Sequence, residues 1–162
     1  MKITDAPSPS QNARPAGVTP RLLVVHGTVG TDAGDLDFLR KGGAPGKPVS
    51  YHYLILRTGE IHRLVPPERR AWACDPSAWQ GKSGVNDFSI SVGLSNLNDG
   101  KAYTEAQYRS LAWLYVTLAK HFPIPLEGIV GHYHISYPRK TDPWHTFEWM
   151  RLARYISDAG GK

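Results

Sequence analysis

The segment from Gly131 to Pro143 concentrates side chains that could do chemistry. It holds His132, His134, Lys140 and Asp142 in a stretch broken by prolines, directly after a short hydrophobic strand. Imidazole and carboxylate groups are ligands of catalytic zinc ions, and a lysine beside them can stabilise an anion. One histidine in a loop is usually an ordinary surface group, but this density of polar groups beyond a strand end favours a site. The segment therefore predicts most of a metal site, with one ligand still to be supplied.

His26 is the candidate for that further ligand. It ends a run of apolar and β-branched residues that begins at Arg21 and predicts a buried strand, and a turn at residues 27–30 follows it. Ligands bind beyond the carboxyl ends of strands in open α/β sheets, so two such strand ends could meet. The same pattern also fits a histidine that only caps its strand through a backbone hydrogen bond. The spacing leaves both interpretations open.

The remaining pattern predicts a single α/β domain, with a mixed central sheet flanked by helices. An extended, proline-rich arm over residues 1–20 is expected to precede one folded domain over residues 21–158. Thr104 and Gln107 form a capping-box pattern at the start of the clearest helix. The other predicted elements are a helix at 35–41, strands at 49–56 and 60–65 joined as a hairpin, a strand at 88–94, helices at 104–121 and 146–157, and a loop at 131–143.

Composition narrows the class of protein. The chain has 162 residues, 41% hydrophobic and 20% charged, which is typical of a globular domain with a real core. Its single cysteine, Cys74, excludes an internal disulfide, and we interpret it as a small buried hydrophobe. The net charge of +5 favours polyanionic partners, but the basic residues are scattered and give no support for a nucleic-acid groove. No stretch reaches the apolar length that spans a bilayer, so no membrane insertion is expected.

Several motifs in order resemble the zinc-dependent N-acetylmuramoyl-L-alanine amidases of type 2. This family includes cytoplasmic muropeptide-recycling amidases, phage amidase endolysins and peptidoglycan recognition proteins. The resemblance covers nearly the whole chain, and several ordered motifs are more specific than any one of them. The motifs that carry it are Val24–Thr28, Ser50–Ile55, Arg70–Trp72, Asn86–Ile90, Gly131–His132 and Arg139–Pro143.

The resemblance implies a zinc ion in a surface groove and a role for each matching residue. The family's zinc ligands correspond to His26, His132 and Asp142, a set that leaves a fourth position for water. Lys140 matches the lysine that stabilises the oxyanion, although most lysines are solvated surface groups. Tyr51 matches a tyrosine beside the metal in the phage enzymes. The competing interpretation of Tyr51 is a tyrosine packed in the core. We expect Tyr51 to be catalytic together with Lys140.

One position departs from the family pattern. Many recycling amidases carry a glutamate, a candidate general base, at the place of Gly93. The chain then resembles either the phage enzymes, which lack that glutamate, or recognition proteins that bind peptidoglycan without cleaving it. Because the ligands, Tyr51 and Lys140 are all present, we expect an active enzyme. General-base assistance is typically worth about 10²–10⁴-fold, so its absence predicts a slow enzyme rather than an inactive one.

Four further residues are predicted to contact the substrate. Arg70 and Arg139 could pair with carboxylates of the stem peptide, although both also fit plain surface charges. Trp72 offers an aromatic face to a sugar ring, but a core role is as common for tryptophan. His134 stands where related motifs often have an aspartate, and it fits either a substrate contact or support of a ligand.

The sequence thus predicts a zinc amidohydrolase that cleaves the bond between N-acetylmuramic acid and L-alanine. The expected context is a phage endolysin, because the positive charge suits an anionic cell wall. A recycling amidase, a non-catalytic recognition module and, more distantly, a nucleic-acid-binding protein are the alternatives. We expect a monomer acting on peptidoglycan or muropeptides. Since residues 1–20 lack the apolar core of a secretory signal, synthesis and folding in the cytoplasm are expected.

Overall fold

A six-stranded sheet forms the centre of the computed structural model, which describes residues 1–161. The strand order is β1-β7-β6-β11-β3-β12. Parallel pairing joins β11 to both β3 and β6, β12 to β3, and β1 to β7, whereas β6 and β7 are antiparallel. The sheet is therefore mixed, as predicted. Its strands are β1 (Ile3–Asp5), β3 (Leu22–Gly27), β6 (Tyr53–Ile55), β7 (Ile61–Arg63), β11 (Ser89–Leu94) and β12 (Ile129–Gly131).

Shorter strand pairs and four helices complete the fold. Two 3₁₀ turns, at Val85–Phe88 and Leu126–Gly128, lead into β11 and β12. Among residues 1–161 no helix is both long and apolar enough to cross a bilayer. The short strands pair as β2 (Gln11–Ala13) with β8 (Arg69–Ala71), β4 (Gly43–Ala44) with β5 (Lys47–Pro48), and β9 (Ala78–Trp79) with β10 (Lys82–Ser83). The helices are α1 (Asp32–Arg40), α2 (Glu105–Ala119), α3 (His132–Ser136) and α4 (Trp149–Asp158).

Hydrophobic side chains on both faces of β3 bury it at the centre of the domain. Leu23 and Val25 pack into the cluster that α2 and α4 cover. Leu22 and Val24 point to the other face, into a cluster with Cys74. Because side chains alternate along a strand, His26 belongs to the face of Leu22 and Val24. Because β3 is buried on both faces, His26, its penultimate residue, is held in a fixed place near the carboxyl end of the strand.

The local signals at the helices are confirmed in part. Thr104 caps α2 through the predicted capping box with Gln107. The segment 131–143 differs from the prediction of a loop, because Gly131 ends β12 and the next five residues, His132–Ser136, form α3. In the N-terminal arm, Ile3–Asp5 pairs with β7 within the central sheet. The arm therefore contributes an edge strand as well as an extended segment.

Candidate active site

Neighbouring strand ends bring His26 and His132 together. β12 pairs in parallel with β3, with Gly131 opposite Val25, so the residue that follows each partner is one of the two histidines. Their Nδ1 atoms lie 3.1 Å apart, and both side chains are buried. This register decides between the two interpretations of His26: it lies in the cluster rather than serving only as a strand cap.

Asp142 completes the cluster from the segment that follows α3. Its Oδ2 lies 3.2 Å from Nδ1 of His132 and 3.5 Å from Nδ1 of His26. The backbone N–H of Gly27 donates to the same oxygen at 3.3 Å, and the carbonyl of Asp142 accepts from the N–H of Tyr133 at 3.0 Å. The carboxylate is thus held by backbone on both sides. Among residues 1–161 these three form the group whose donor atoms could hold a metal ion, all within 4.8 Å of one another.

The electrostatics of the cluster fit a cation. Burial, together with neighbouring His132, lowers the pKa of His26 to about 4, so its imidazole is neutral and can donate a lone pair to a metal. Burial alone would raise the pKa of Asp142, but hydrogen bonds with the two histidines outweigh it and lower the pKa. Two imidazole Nδ1 atoms and a carboxylate facing one point are a donor set for zinc. The residues present therefore fit the metal.

A groove of about 610 Å³ opens over this cluster. Tyr51, Lys140 and Trp144 line it together with His132 and Asp142. The ring of Tyr51 stacks on His26, with ring centroids 4.7 Å apart and planes 24° apart. Burial and the nearby Asp142 raise the pKa of Tyr51, so the phenol keeps its proton and can donate it in a hydrogen bond. The structure thus brings Tyr51 and Lys140 to the same groove as the metal cluster.

Gly93 lies directly under the ring of Tyr51. In the sheet it stands between His26 on β3 and Leu54 on β6. A Cβ atom at this position would lie 2.6 Å from Cδ2 and 2.7 Å from Cε2 of Tyr51, closer than carbon atoms can approach. The tyrosine ring therefore occupies the space that a side chain at position 93 would need. Tyr51 in this position and a glutamate at 93 exclude each other.

His52 points away from the metal cluster. The N–H of Ser91 donates to its Nδ1 at 2.9 Å, so Nε2 carries the proton and donates to the carbonyl of Arg69 at 3.0 Å. Burial and the charge of Arg14 lower its pKa to about 3. These backbone partners make His52, which precedes β6, part of the support of the sheet.

The predicted substrate contacts fall into two groups. Arg70, Trp72 and His134 are not among the residues that line the groove. Arg70 pairs with Asp87, the indole of Trp72 donates to Asn12, and Nδ1 of His134 accepts from the N–H of Gly131 at 2.8 Å. These contacts are structural, because Arg70 and Trp72 each tie two segments of the chain together and His134 caps the start of its own helix, α3. Their positions give no support to the predicted substrate contacts.

Arg139 does line the groove, but its guanidinium is engaged elsewhere. Nη2 donates to the carbonyls of Cys74 at 3.0 Å and Pro76 at 2.6 Å. Sequence reasoning also missed Asp35, a buried acid of α1 that lines the groove. No spacing pattern could have marked it, because it reaches the groove through tertiary folding alone.

The fold and the site together define a metal-dependent amidohydrolase. A buried pair of histidines and a carboxylate lie at the carboxyl edge of parallel strands, and a lysine and a phenol face the same groove. Residues 16–145 match the family model described as N-acetylmuramoyl-L-alanine amidase. The chain belongs to this zinc-dependent amidase family, and N-acetylmuramoyl-L-alanine amidase is its activity.

Similar proteins place it more closely within the family. The 1,6-anhydro-N-acetylmuramyl-L-alanine amidase AmpD of Citrobacter freundii is 36% identical, over 96% of this chain and 91% of its own length. AmpD of Escherichia coli is 38% identical, over 93% of this chain and 90% of its own. A crystal structure of a selenomethionine AmpD derivative superposes with a TM-score of 0.85 at 35% identity, covering 95% of this chain and 94% of that one.

Two further structures mark the limits of the similarity. The amidase AmiD of E. coli, solved with anhydro-N-acetylmuramic acid-L-Ala-D-gamma-Glu-L-Lys, has a TM-score of 0.75 at 30% identity, over 88% of this chain and 60% of that one. The amidase LysC of Clostridium intestinale is only 18% identical, with a TM-score of 0.73 over 100% of this chain and 99% of that one, and shows the shared fold. The relatives do not support the expected endolysin and its bacteriolytic action. They favour the alternative of a recycling amidase.

Proposed function

We propose that this chain is a muropeptide-recycling amidase. It hydrolyses the amide between the lactyl group of 1,6-anhydro-N-acetylmuramic acid and L-alanine in small, soluble fragments. Relatives of 36–38% identity that align over most of both chains are named 1,6-anhydro-N-acetylmuramyl-L-alanine amidases. AmiD, a more distant relative, was solved with an anhydro-muramoyl tripeptide. We expect a monomer that acts in the cytoplasm.

The observation that carries the chemistry is the cluster of His26, His132 and Asp142 in the groove. These three side chains would hold zinc, which supplies Lewis acidity and a water that ionises near neutral pH. Asp142 is itself held by the N–H of Gly27, so the donor set is fixed before any ligand arrives. A fixed donor set costs little reorganisation on binding.

Lys140 and Tyr51 are the groups we assign to the reacting amide. Lys140 lines the groove, and its ammonium would stabilise the oxyanion that develops on the substrate carbonyl. The phenol of Tyr51 keeps its proton and would donate a hydrogen bond to the same oxygen or orient the attacking water. Its stacking on His26 holds the ring in place. In this account Tyr51 occupies the space of the glutamate that many relatives carry.

A recognition module that binds without cleaving is the second candidate. The observation that favours it is Gly93, which brings no carboxylate to the place of a candidate general base. Cleavage by the wild-type protein distinguishes the two candidates, since a recognition module would bind the same fragments and leave them intact.

The experiment compares two substrates side by side. Zinc-loaded protein is incubated with 1,6-anhydro-muramoyl tripeptide and, separately, with intact sacculi, and released peptide with a new N-terminal alanine is measured by mass spectrometry. We expect cleavage of the small fragment, much slower or no release from sacculi, and no cleavage after chelation or in His132→Ala. Preferential release from sacculi would overturn the recycling role. Binding of the fragment without cleavage would favour the recognition module.

A further inference from the structure

The groove carries a carboxylate that the reaction does not use. Asp35 lies on α1 and lines the groove together with the metal cluster. Among the groove-lining residues of the described chain, the other carboxylate is Asp142, which belongs to the metal cluster. Asp35 is therefore the acid of the groove that remains for a ligand.

The surroundings of Asp35 hold its carboxylate in one orientation. The side chain is 8% exposed, and the hydroxyl of Thr28 donates to Oδ2 at 2.6 Å. That hydroxyl also accepts from the N–H of Asn96 at 2.9 Å, which fixes the direction of its own proton. Next to the other carboxylate oxygen, Oδ1, a Cβ atom at position 30 would collide with it, so the absence of a side chain at Gly30 makes room for Oδ1. The carboxylate is thus prepositioned by a hydrogen bond on one oxygen and a glycine beside the other.

Within the described residues, no cation forms an ion pair with this carboxylate. In residues 1–161, no lysine, arginine or histidine lies within salt-bridge distance of Asp35. Burial raises its pKa, which reflects the cost of an ionised carboxylate with little solvent. A ligand that brought a positive charge into the groove would offset that cost.

We propose that Asp35 binds the free amino group of a diamino acid in the stem peptide of the substrate. The proposal rests on the proposed function, because it takes the peptide to lie in this groove. The tripeptide bound to AmiD ends in L-Lys, whose side chain is an ammonium of this kind. A charge-assisted hydrogen bond from the ammonium to Oδ1 would give the second carboxylate oxygen its partner. Asp35 would then select fragments by their third residue.

The test is a preference ratio for two substrates that differ only in this charge. We compare kcat/KM for anhydro-N-acetylmuramic acid-L-Ala-D-γ-Glu-L-Lys with that for the same compound acetylated on the lysine side chain. Wild-type protein should prefer the free amine by about tenfold, the order expected for one hydrogen bond to a charged group. Asp35→Asn, which can still accept from Thr28, should lower the ratio to about one.

A matched variant and an internal ratio keep the test independent of folding. Asp37→Asn removes an exposed acid from the same helix, one that pairs with Lys41 outside the groove, and should keep the wild-type ratio. The ratio does not depend on the fraction of folded protein. A wild-type ratio near one, or a tenfold ratio retained in Asp35→Asn, overturns the proposal even if cleavage is rapid.

A binding measurement separates this proposal from the proposed function. If the wild-type protein cleaves neither compound, calorimetry with the peptides L-Ala-D-γ-Glu-L-Lys and its acetylated form replaces kinetics. Tighter binding of the free amine that is lost in Asp35→Asn supports the site although the amidase role fails. Equal binding of the two peptides, or binding of neither, overturns the site.

Discussion

His52 and His26 lie in two buried clusters that differ in how their ring nitrogens are paired. Both of His52's ring nitrogens have backbone partners, Ser91 and Arg69, and the guanidinium of Arg14 lies 3.0 Å from Nε2. In the other cluster the Nδ1 atoms of His26 and His132 lie 3.1 Å apart, and Oδ2 of Asp142 lies 3.2 Å from Nδ1 of His132. In the first cluster both ring nitrogens of His52 have partners in the chain. In the second, the atoms that face one another are ones that could each donate a lone pair to a metal ion.

The difference indicates which buried polar groups serve the fold and which serve the site. A buried polar group without a partner costs free energy, so native structures rarely keep one without a reason. In the first cluster, Arg14 also donates to the carbonyls of Pro67, Asn86 and Ser89 and ties the N-terminal arm to the domain. In the second, a metal ion would satisfy the two Nδ1 atoms and the carboxylate together. Substitutions in the first cluster should therefore affect stability, and those in the second should affect metal binding and activity.

The largest effect is expected from His132→Ala. Removing one of three ligands should abolish stoichiometric zinc binding and lower kcat/KM by at least about 10³-fold, because the metal supplies several kcal/mol of transition-state stabilisation. Elemental analysis of the purified protein and the muropeptide assay measure the two quantities. His134→Ala, two residues away on α3, is the control and should keep one zinc per chain. Full zinc occupancy in His132→Ala would show that the cluster is not the metal site.

Arg14→Ala tests the cluster around His52. Several buried carbonyls would lose their donor, and the free energy of unfolding should fall by about 3 kcal/mol. Urea denaturation measures this loss, and zinc stoichiometry of the folded variant should stay at the wild-type value. Arg63→Ala removes an exposed ion pair with Asp5 and should cost at most about 1 kcal/mol. A loss of zinc from folded Arg14→Ala would show that the two clusters depend on each other, contrary to our description.

Lys140→Ala separates metal binding from catalysis. The variant should bind zinc like the wild-type protein but lose about 10²-fold in kcat, or about 2.7 kcal/mol, because one oxyanion-stabilising group is gone. Single-turnover kinetics on zinc-loaded protein measure the loss. An unchanged kcat would mean that Lys140 is a solvated side chain at the groove edge.

Gly93→Ala tests the fit between the tyrosine ring and the sheet, with the smallest expected effect. The added Cβ would collide with Tyr51, so the free energy of unfolding should fall by about 1–2 kcal/mol. The cost should persist in a Tyr51→Phe background, which keeps the ring, and shrink by at least half in Tyr51→Ala. Equal costs in both backgrounds would show that Tyr51 does not fill the space above Gly93.

The sequence was most informative where the signal is local. The capping pair Thr104 and Gln107 predicted the start of α2, and the β-branched run before His26 predicted β3, because caps and buried strands are specified by neighbouring residues. The resemblance to a family also led to His26, His132 and Asp142, which the structure places together.

What the sequence missed depends on tertiary placement. Arg70 and Trp72 were expected in the groove, but the strand pair β2–β8 positions them beside Asn12 instead. Asp35 stayed unnoticed because an acid in a short helix gives no sign of facing a groove. The contact of Gly93 with the ring of Tyr51 joins β11 to the segment before β6, and the sequence alone shows a lost glutamate rather than a space already filled.

The central claim is that the His26–His132–Asp142 cluster holds the zinc ion on which cleavage depends. Titration of zinc into metal-free wild-type protein, with cleavage of an anhydro-muramoyl tripeptide followed at each point, tests it most directly. We expect activity to rise in proportion to bound zinc and to stop rising at one ion per chain. Cleavage by the metal-free protein, or one bound zinc per chain with no cleavage at any point, would contradict it.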